Sequence, residues 1–197
     1  MTSSLVDFLK ENPELYIKAI ATIGRNRAEL LGMLENMGAE YTHGRIVAFI
    51  DSKLVDVISN TEEKISCSSG CSHCCYYHVD VTAVEAKILS QYVTEDMIPK
   101  LKAQAAKGNA SWLTLEHSQR RCVFLADDNK CSVYKHRPIS CRKYYVVSDP
   151  ALCSVEESAQ GVQAAVSMPA ELFASATFDT MGWGSMPDML LLNLNKL

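Results

Sequence analysis

All eight cysteines of this 197-residue chain lie at or after Cys67. Cys67, Cys71, Cys74 and Cys75 form one dense group. Cys122, Cys131, Cys141 and Cys153 form a second, looser one. Thiols in such number are used as disulfides, as metal ligands, or as scattered small hydrophobes. The opening stretch MTSSLVDFLKENPELY carries acids early and lacks a basic region followed by an apolar one, so it does not read as a secretory signal. The resulting expectation is a cytoplasmic protein in a reducing compartment, where disulfides rarely persist and gathered thiolates ligate metal. The tight spacing of the first group argues against scattered core cysteines.

The spacing has a physical logic. Two or three residues between thiols let the chain turn back, so that successive sulfurs face one centre. Zinc takes four ligands in a tetrahedron, and a [4Fe–4S] cluster usually takes four thiolates. The two groups are therefore expected to converge, with the metal stapling a loop-rich region and contributing folding free energy. Cys74 and Cys75 are adjacent, and neighbouring side chains diverge. One of them is left to serve a second ion or the core.

The residues before the cysteines differ in character. Tyr16, Ile20, Ile23, Leu30, Leu34 and Met37 recur near the helical period, as do Ile46, Phe49, Ile50, Leu54, Val57 and Ile58. Gly38 and Gly44 bracket the expected break. Thr82 to Glu85 matches a capping box, and a further helix is expected from Thr94 to Gly108. Short helices are expected over 154–165 and 169–178, and strand signals are confined to Tyr77–Val81 and Tyr144–Val147. The expected fold is mainly α: a helical hairpin over 1–66, a loop-rich, metal-stapled domain over 67–160, and a C-terminal tail over 161–197 packing on the rest.

Charge bears on partners. The chain's net −4 gives no global attraction to nucleic acid or to an anionic membrane. No run approaches the roughly 18 apolar residues that span a bilayer. Yet Arg120, Arg121, Lys130, Lys135, Arg137, Arg142 and Lys143 crowd one stretch against only Asp127 and Asp128. Such cations offset a negative thiolate site and donate to its sulfurs. The alternatives are a solvated basic loop and a nucleic-acid patch in which Tyr134, Tyr144 and Tyr145 stack on bases.

Two stretches also resemble a known family. C-S-S-G-C-S-H-C-C-Y-Y-H-V-D-V-T-A-V-E-A-K-I, residues 67–88, is similar to the opening of the YkgJ-type cysteine-cluster proteins, described as zinc- or iron-chelating. C-V-F-L-A-D-D-N-K-C-S-V-Y-K-H-R-P-I-S-C-R, residues 122–142, resembles their second signature, with Val123 where proline is usual. The resemblance covers about residues 67–153. It implies metal ligation by Cys67, Cys71, Cys74, Cys75, Cys122, Cys131 and Cys141, with Cys153 matching a looser position. Arg137 and Arg142 then stand around the ligands, and Pro138 fixes the turn that presents Cys141. The flagellin lysine methylase is a relative, which implies an alternative function as a metal-dependent enzyme modifying protein side chains.

Other chemistry has less support. The spacing of Cys67, Cys71 and Cys74 also matches radical S-adenosylmethionine enzymes. However, only about 120 residues follow, and the strand–helix alternation of their barrel is missing. His73 and His78 are candidate ligands beside sufficient cysteines. No serine elbow, phosphate loop or HExxH motif is present. The expectation is a metal-binding protein with a structural or redox site, holding zinc or an iron–sulfur cluster. The alternatives are the enzyme and a zinc-organised module that binds nucleic acid or a protein partner.

Overall fold

The computed structural model describes residues 10–60, 64–154 and 161–195. The fold is mainly α. Pro13, whose ring presets a helical φ, opens α1 (Pro13–Met37). The helix stops at Gly38, whose φ of 80° suits a residue without a Cβ, and the Gly38 amide donates to the Leu34 carbonyl. The chain re-enters helix at once as α2 (Ala39–Asn60). Gly44 therefore lies inside α2 and does not bracket the break. Glycine costs a helix about 1 kcal/mol, less than the burial of Ile46, Ile50 and Leu54 on the same helix returns.

Two apolar clusters organise the molecule. In the first, α7 (Met168–Met181) packs on both hairpin helices. Leu30, Ile46, Ile50 and Leu54 meet Ala170, Phe173, Ala174 and Ala176. The alanines let the helices approach closely, and the Phe49 and Phe173 rings lie 4.5 Å apart. Part of the expected α1 stripe is not core: Tyr16, Ile20 and Met37 are about half exposed. The reason is length. At 1.5 Å per residue, the 14 residues of α7 cannot cover the 25 of α1.

The second cluster lies among α3 (Ala83–Ser90), α4 (Ile98–Lys107) and α8 (Met186–Leu194). Val81, Ala86, Leu89, Leu101, Phe124, Val133, Met186 and Leu190 form it. Two short antiparallel ladders tie its edges. β1 (Asp80–Thr82) pairs with β4 (Trp183–Ser185), and β2 (Tyr145–Val146) pairs with β3 (Ala164–Ala165). The helix expected over 154–165 falls partly on 155–160, outside the described residues. At its end, Ala164–Ala165 is strand instead, because it has β2 to pair with. Among the described residues, no helix is long and apolar enough to cross a membrane.

One histidine of α2 links stability to pH. His43 on α2 has its Nδ1 buried without a hydrogen-bond partner. Burial, with Arg142 and His136 nearby, holds its pKa below the usual histidine value. An unfolded chain then binds a proton that the folded chain refuses. The stabilising contribution is present above about pH 6.5, the ordinary histidine value, and is lost as pH falls through the lower folded value. Urea midpoints measured across this range should fall on acidification, and His43→Leu should remove that part of the slope.

Candidate metal centre

The cysteines sit on short irregular segments, each held by a few specific bonds. Ser66 anchors the first: its amide donates to the Val146 carbonyl and its hydroxyl to the Val147 carbonyl, both at 2.9 Å. Gly70, at φ 91°, lets the chain turn between Cys67 and Cys71. The Cys71 amide closes on the Ser68 carbonyl at 3.0 Å. A 3₁₀ turn, His73–Tyr76, then carries Cys74 and Cys75. These adjacent side chains, expected to diverge, instead lie within hydrogen-bonding reach of each other. The Trp112 indole, buried, donates to the Tyr76 carbonyl at 2.9 Å and pins the end of this turn.

The second group is brought to the first by backbone. The Cys122 amide donates to the Cys75 carbonyl at 2.8 Å. The chain then doubles back: Leu125 bridges Cys131, with Asn129 at φ 60° in the turn expected at Asp127–Asn129. Cys122 and Cys131 thus lie on the two arms of one small loop, and both lean on the second apolar cluster. Cys141 lies on a single helical turn, α6 (Ile139–Arg142), which Pro138 precedes. Cys153 ends a 3₁₀ turn, Pro150–Cys153, capped by Asp149. That turn packs against the one carrying Cys74.

Glu85 ties the groups together. Its capping box with Thr82 is complete, with Thr82 N donating to Oε2 at 2.8 Å and Glu85 N donating to Thr82 Oγ1 at 3.3 Å. Its other oxygen accepts from the Ile139 amide at 2.6 Å, across 54 residues. The same carboxylate therefore starts α3 and seats the turn bearing Cys141. Ser140 reinforces the joint by donating to the Asp80 carbonyl at 2.8 Å.

All eight thiols are free, and they influence one another. Cys74 is pushed far above the usual thiol range, first by its hydrogen bond with Cys75 and then by burial. Burial pushes Cys122 up to about 11, with Cys131 and Cys74 adding to the rise and Lys100 opposing it. Burial also raises Cys141 well above the usual value, with Cys122, Cys74, Cys131 and Glu85 contributing. Burial raises Cys71 and Cys153 in the same direction; Cys67 and Cys74 act on both. The thiols are gathered but not closed. Among the described residues, no three His, Cys, Asp or Glu side chains stand arranged to hold a metal ion. The donor chemistry nevertheless fits a thiophilic metal: crowded, unpaired thiols that repel as anions are relieved when a cation takes them and their protons leave.

The surrounding cations take different roles. Arg137 lies over the Tyr134 ring, 4.2 Å from its centroid, and donates to the Tyr145 hydroxyl at 2.6 Å. Its charge reaches Cys74 and Cys131. Arg142, 8% exposed, is given over to the backbone and the hairpin. It donates to the carbonyls of Arg137 and Lys135 and to Asp51, the last at 2.9 Å. Arg121 pairs with Asp127, Lys130 with Asp128 and Lys143 with Glu171.

Sequence reasoning did not single out Lys100 or Tyr144 as partners of the thiols. Lys100 reaches Cys122 from α4, and Tyr144 hydrogen-bonds Cys153. No local motif signals either one, because the contact exists only in the fold. Of the histidines, His78 leaves Nε2 buried without a partner while Nδ1 stands 3.7 Å from Asp80, and His117 stacks on Tyr76.

The family model described as "CxxCxxCC: Putative zinc- or iron-chelating domain" matches residues 66–164. That span holds all eight cysteines and half of the chain. No curated protein and no solved structure matches the chain. Metal chelation is thus the property that the family model and the gathered thiols have in common, and the chain belongs to the CxxCxxCC zinc- or iron-chelating family.

Proposed function

We propose that this chain holds zinc through its cysteine thiolates and that the metal is structural. The observation that carries this reading is that eight free thiols sit on short irregular segments whose backbones meet: the Cys122 amide bonds the Cys75 carbonyl, and the turn 150–153 packs on the turn 73–76. These segments have little ladder or helix of their own, so a cross-link would stabilise them more than it would a packed helix. Zinc supplies four tetrahedral bonds to thiolate and no redox change. The chain supplies the rest. Lys100 and Arg137 offset the negative charge, Tyr144 holds Cys153, and Glu85 sets the position of Cys141. A reducing compartment such as the cytoplasm suits free thiols of this kind.

An iron–sulfur cluster is the second reading, favoured by the Cys67, Cys71, Cys74 spacing and by the family's description. Catalysis would need an open coordination position, and here the thiols outnumber the four that one ion takes. The nucleic-acid reading is weakened because Arg121, Lys130, Arg142 and Lys143 are each paired with a carboxylate. Purification without oxygen, followed by quantification of zinc, iron and sulfide per chain, separates the readings. A colourless, zinc-loaded chain is expected. A brown chain with matching iron and sulfide would replace zinc by the cluster. Neither metal in stoichiometric amount would overturn both.

A further inference from the structure

Helix α1 carries two apolar faces, and the chain covers only one of them. At about 100° per residue, Ala19, Ile23 and Leu30 fall within about 40° of one another. This face turns inward: Ala19 and Leu30 are buried, and Ile23 packs on the first apolar cluster. Pro13, Ile17, Ile20, Gly24 and Leu31 fall within about 60° of one another on a second face, about 110° round the helix from the first. That face is in water. Ile17 is 67% exposed, Ile20 52% and Leu31 43%.

Shape and charge together identify what fits there. Gly24 leaves a notch in the middle of the stripe, and among the described residues nothing stands within 4 Å of where its Cβ would lie. A glycine inside a helix costs about 1 kcal/mol, and no described part of this chain uses the room it makes. Along the border of the stripe away from the core run Glu14, Lys18 and Arg25, all exposed. Among the described residues none of the three joins an ion pair, and Arg25 donates to the neutral Thr22 hydroxyl at 2.8 Å. Negative charge thus lies on the first turn and positive charge further along the same border.

Two such helices side by side in the same direction would set Glu14 on Glu14 and Arg25 on Arg25. Run in opposite directions, they set Glu14 of each on Arg25 of the other, twice by symmetry. The same register places Ile17 opposite Thr22 of the second helix, and so between Ile20 and Gly24 on the facing stripe. The most exposed large apolar residue of α1 then enters the notch. The face is complementary to itself.

We infer that this face of α1 docks a second copy of the chain, the two helices packing antiparallel with Ile17 seated at Gly24 and Glu14 paired with Arg25 across the two-fold axis. α1 carries no cysteine, so the contact is independent of thiol chemistry and is measured under reducing conditions.

The test is sedimentation equilibrium of the full chain as isolated, over a concentration series. The mass should approach twice the chain's 21.8 kDa at the upper end and fall toward one chain on dilution. Ile17→Asp, at an exposed position, should leave the circular dichroism unchanged and raise the dimer dissociation constant by about tenfold or more. Gly24→Leu should raise the helical stability of the single chain yet weaken the dimer, two effects of opposite sign that a purely structural glycine would not give. Glu14→Arg and Arg25→Glu should each weaken the dimer several-fold, and the doubly reversed chain should recover it. A single-chain mass at every concentration would overturn the proposal, whether the face then takes the chain's own residues 1–9 or an unrelated protein. A dimer indifferent to Ile17→Asp would place the contact elsewhere and overturn it equally. Single reversals that weaken the dimer without recovery in the double variant would overturn the antiparallel register.

Discussion

Removing the metal with a strong chelator under reducing conditions should melt residues 66–82 and 122–153 while leaving much of the helical signal in place. The apparent binding free energy of a structural zinc site is about 10–16 kcal/mol. A whole domain is stable by only about 5–15 kcal/mol. The cysteine segments reach the second apolar cluster through Val81, Phe124 and Val133 and the first through Ile139, but they carry only two- and three-residue strands and single helical turns. Without a cross-link, the loop entropy of the long stretch between Cys75 and Cys122 is opposed by one backbone bond and the packing of α3 and α4. The unit of α1, α2 and α7 rests on its own buried residues, Leu30, Ile46, Ile50, Phe173 and Ala176 among them. Amide exchange read segment by segment, alongside circular dichroism, distinguishes the outcomes. Protection that survives the chelator throughout 66–82 and 122–153 would show that the metal is not a staple.

Replacement of Glu85 by alanine should cost about 3–5 kcal/mol. Glu85 is 2% exposed and accepts from Thr82 N, Thr82 Oγ1 and Ile139 N. Burial pushes its carboxyl above the usual carboxylate range, while those donors pull it back. Truncation leaves two backbone amides without acceptors, Thr82 N (the returning half of the capping box) and Ile139 N, each worth about 1–3 kcal/mol. Lys87→Ala, two residues along α3, is the control. Its ion pair with Glu40 is exposed to water on both sides, so its loss should be small beside that of Glu85. Denaturant midpoints should therefore separate the two variants clearly. Equal losses would mean that Glu85 is no more than a surface cap. Because Ile139 opens the turn that carries Cys141, the alanine variant should also bind metal more weakly, a loss that capping alone would not produce.

The sequence went a long way toward the local structure and the chemistry, for reasons that are themselves local. A capping box needs only residues three apart, so Thr82 and Glu85 announced the start of α3 correctly. Glycine and proline punctuate the backbone wherever they fall, so the ends of α1 at Gly38 and of α4 at Gly108 were readable. The order of cysteines and the R-P-x-x-C-R turn carried the family, because ligand spacing is a property of short loops.

What the tertiary structure alone decided are relations between distant residues. The heptad-like stripe of α1 did not reveal which turns would be covered, since that depends on the length and placement of α7. Glu85 looked like a cap, and only the fold gave its second oxygen the Ile139 amide. Arg142 looked like a partner of the cysteines, but the fold turns it to Asp51 and to two carbonyls, while Lys100 and Tyr144 reach the sulfurs from positions with no motif around them. The pairing of thiols is of this kind too. Spacing along the chain shows that cysteines are meant to meet, but which ones meet is set by backbone bonds such as Cys122 to Cys75. Those bonds span tens of residues, and no periodicity encodes them.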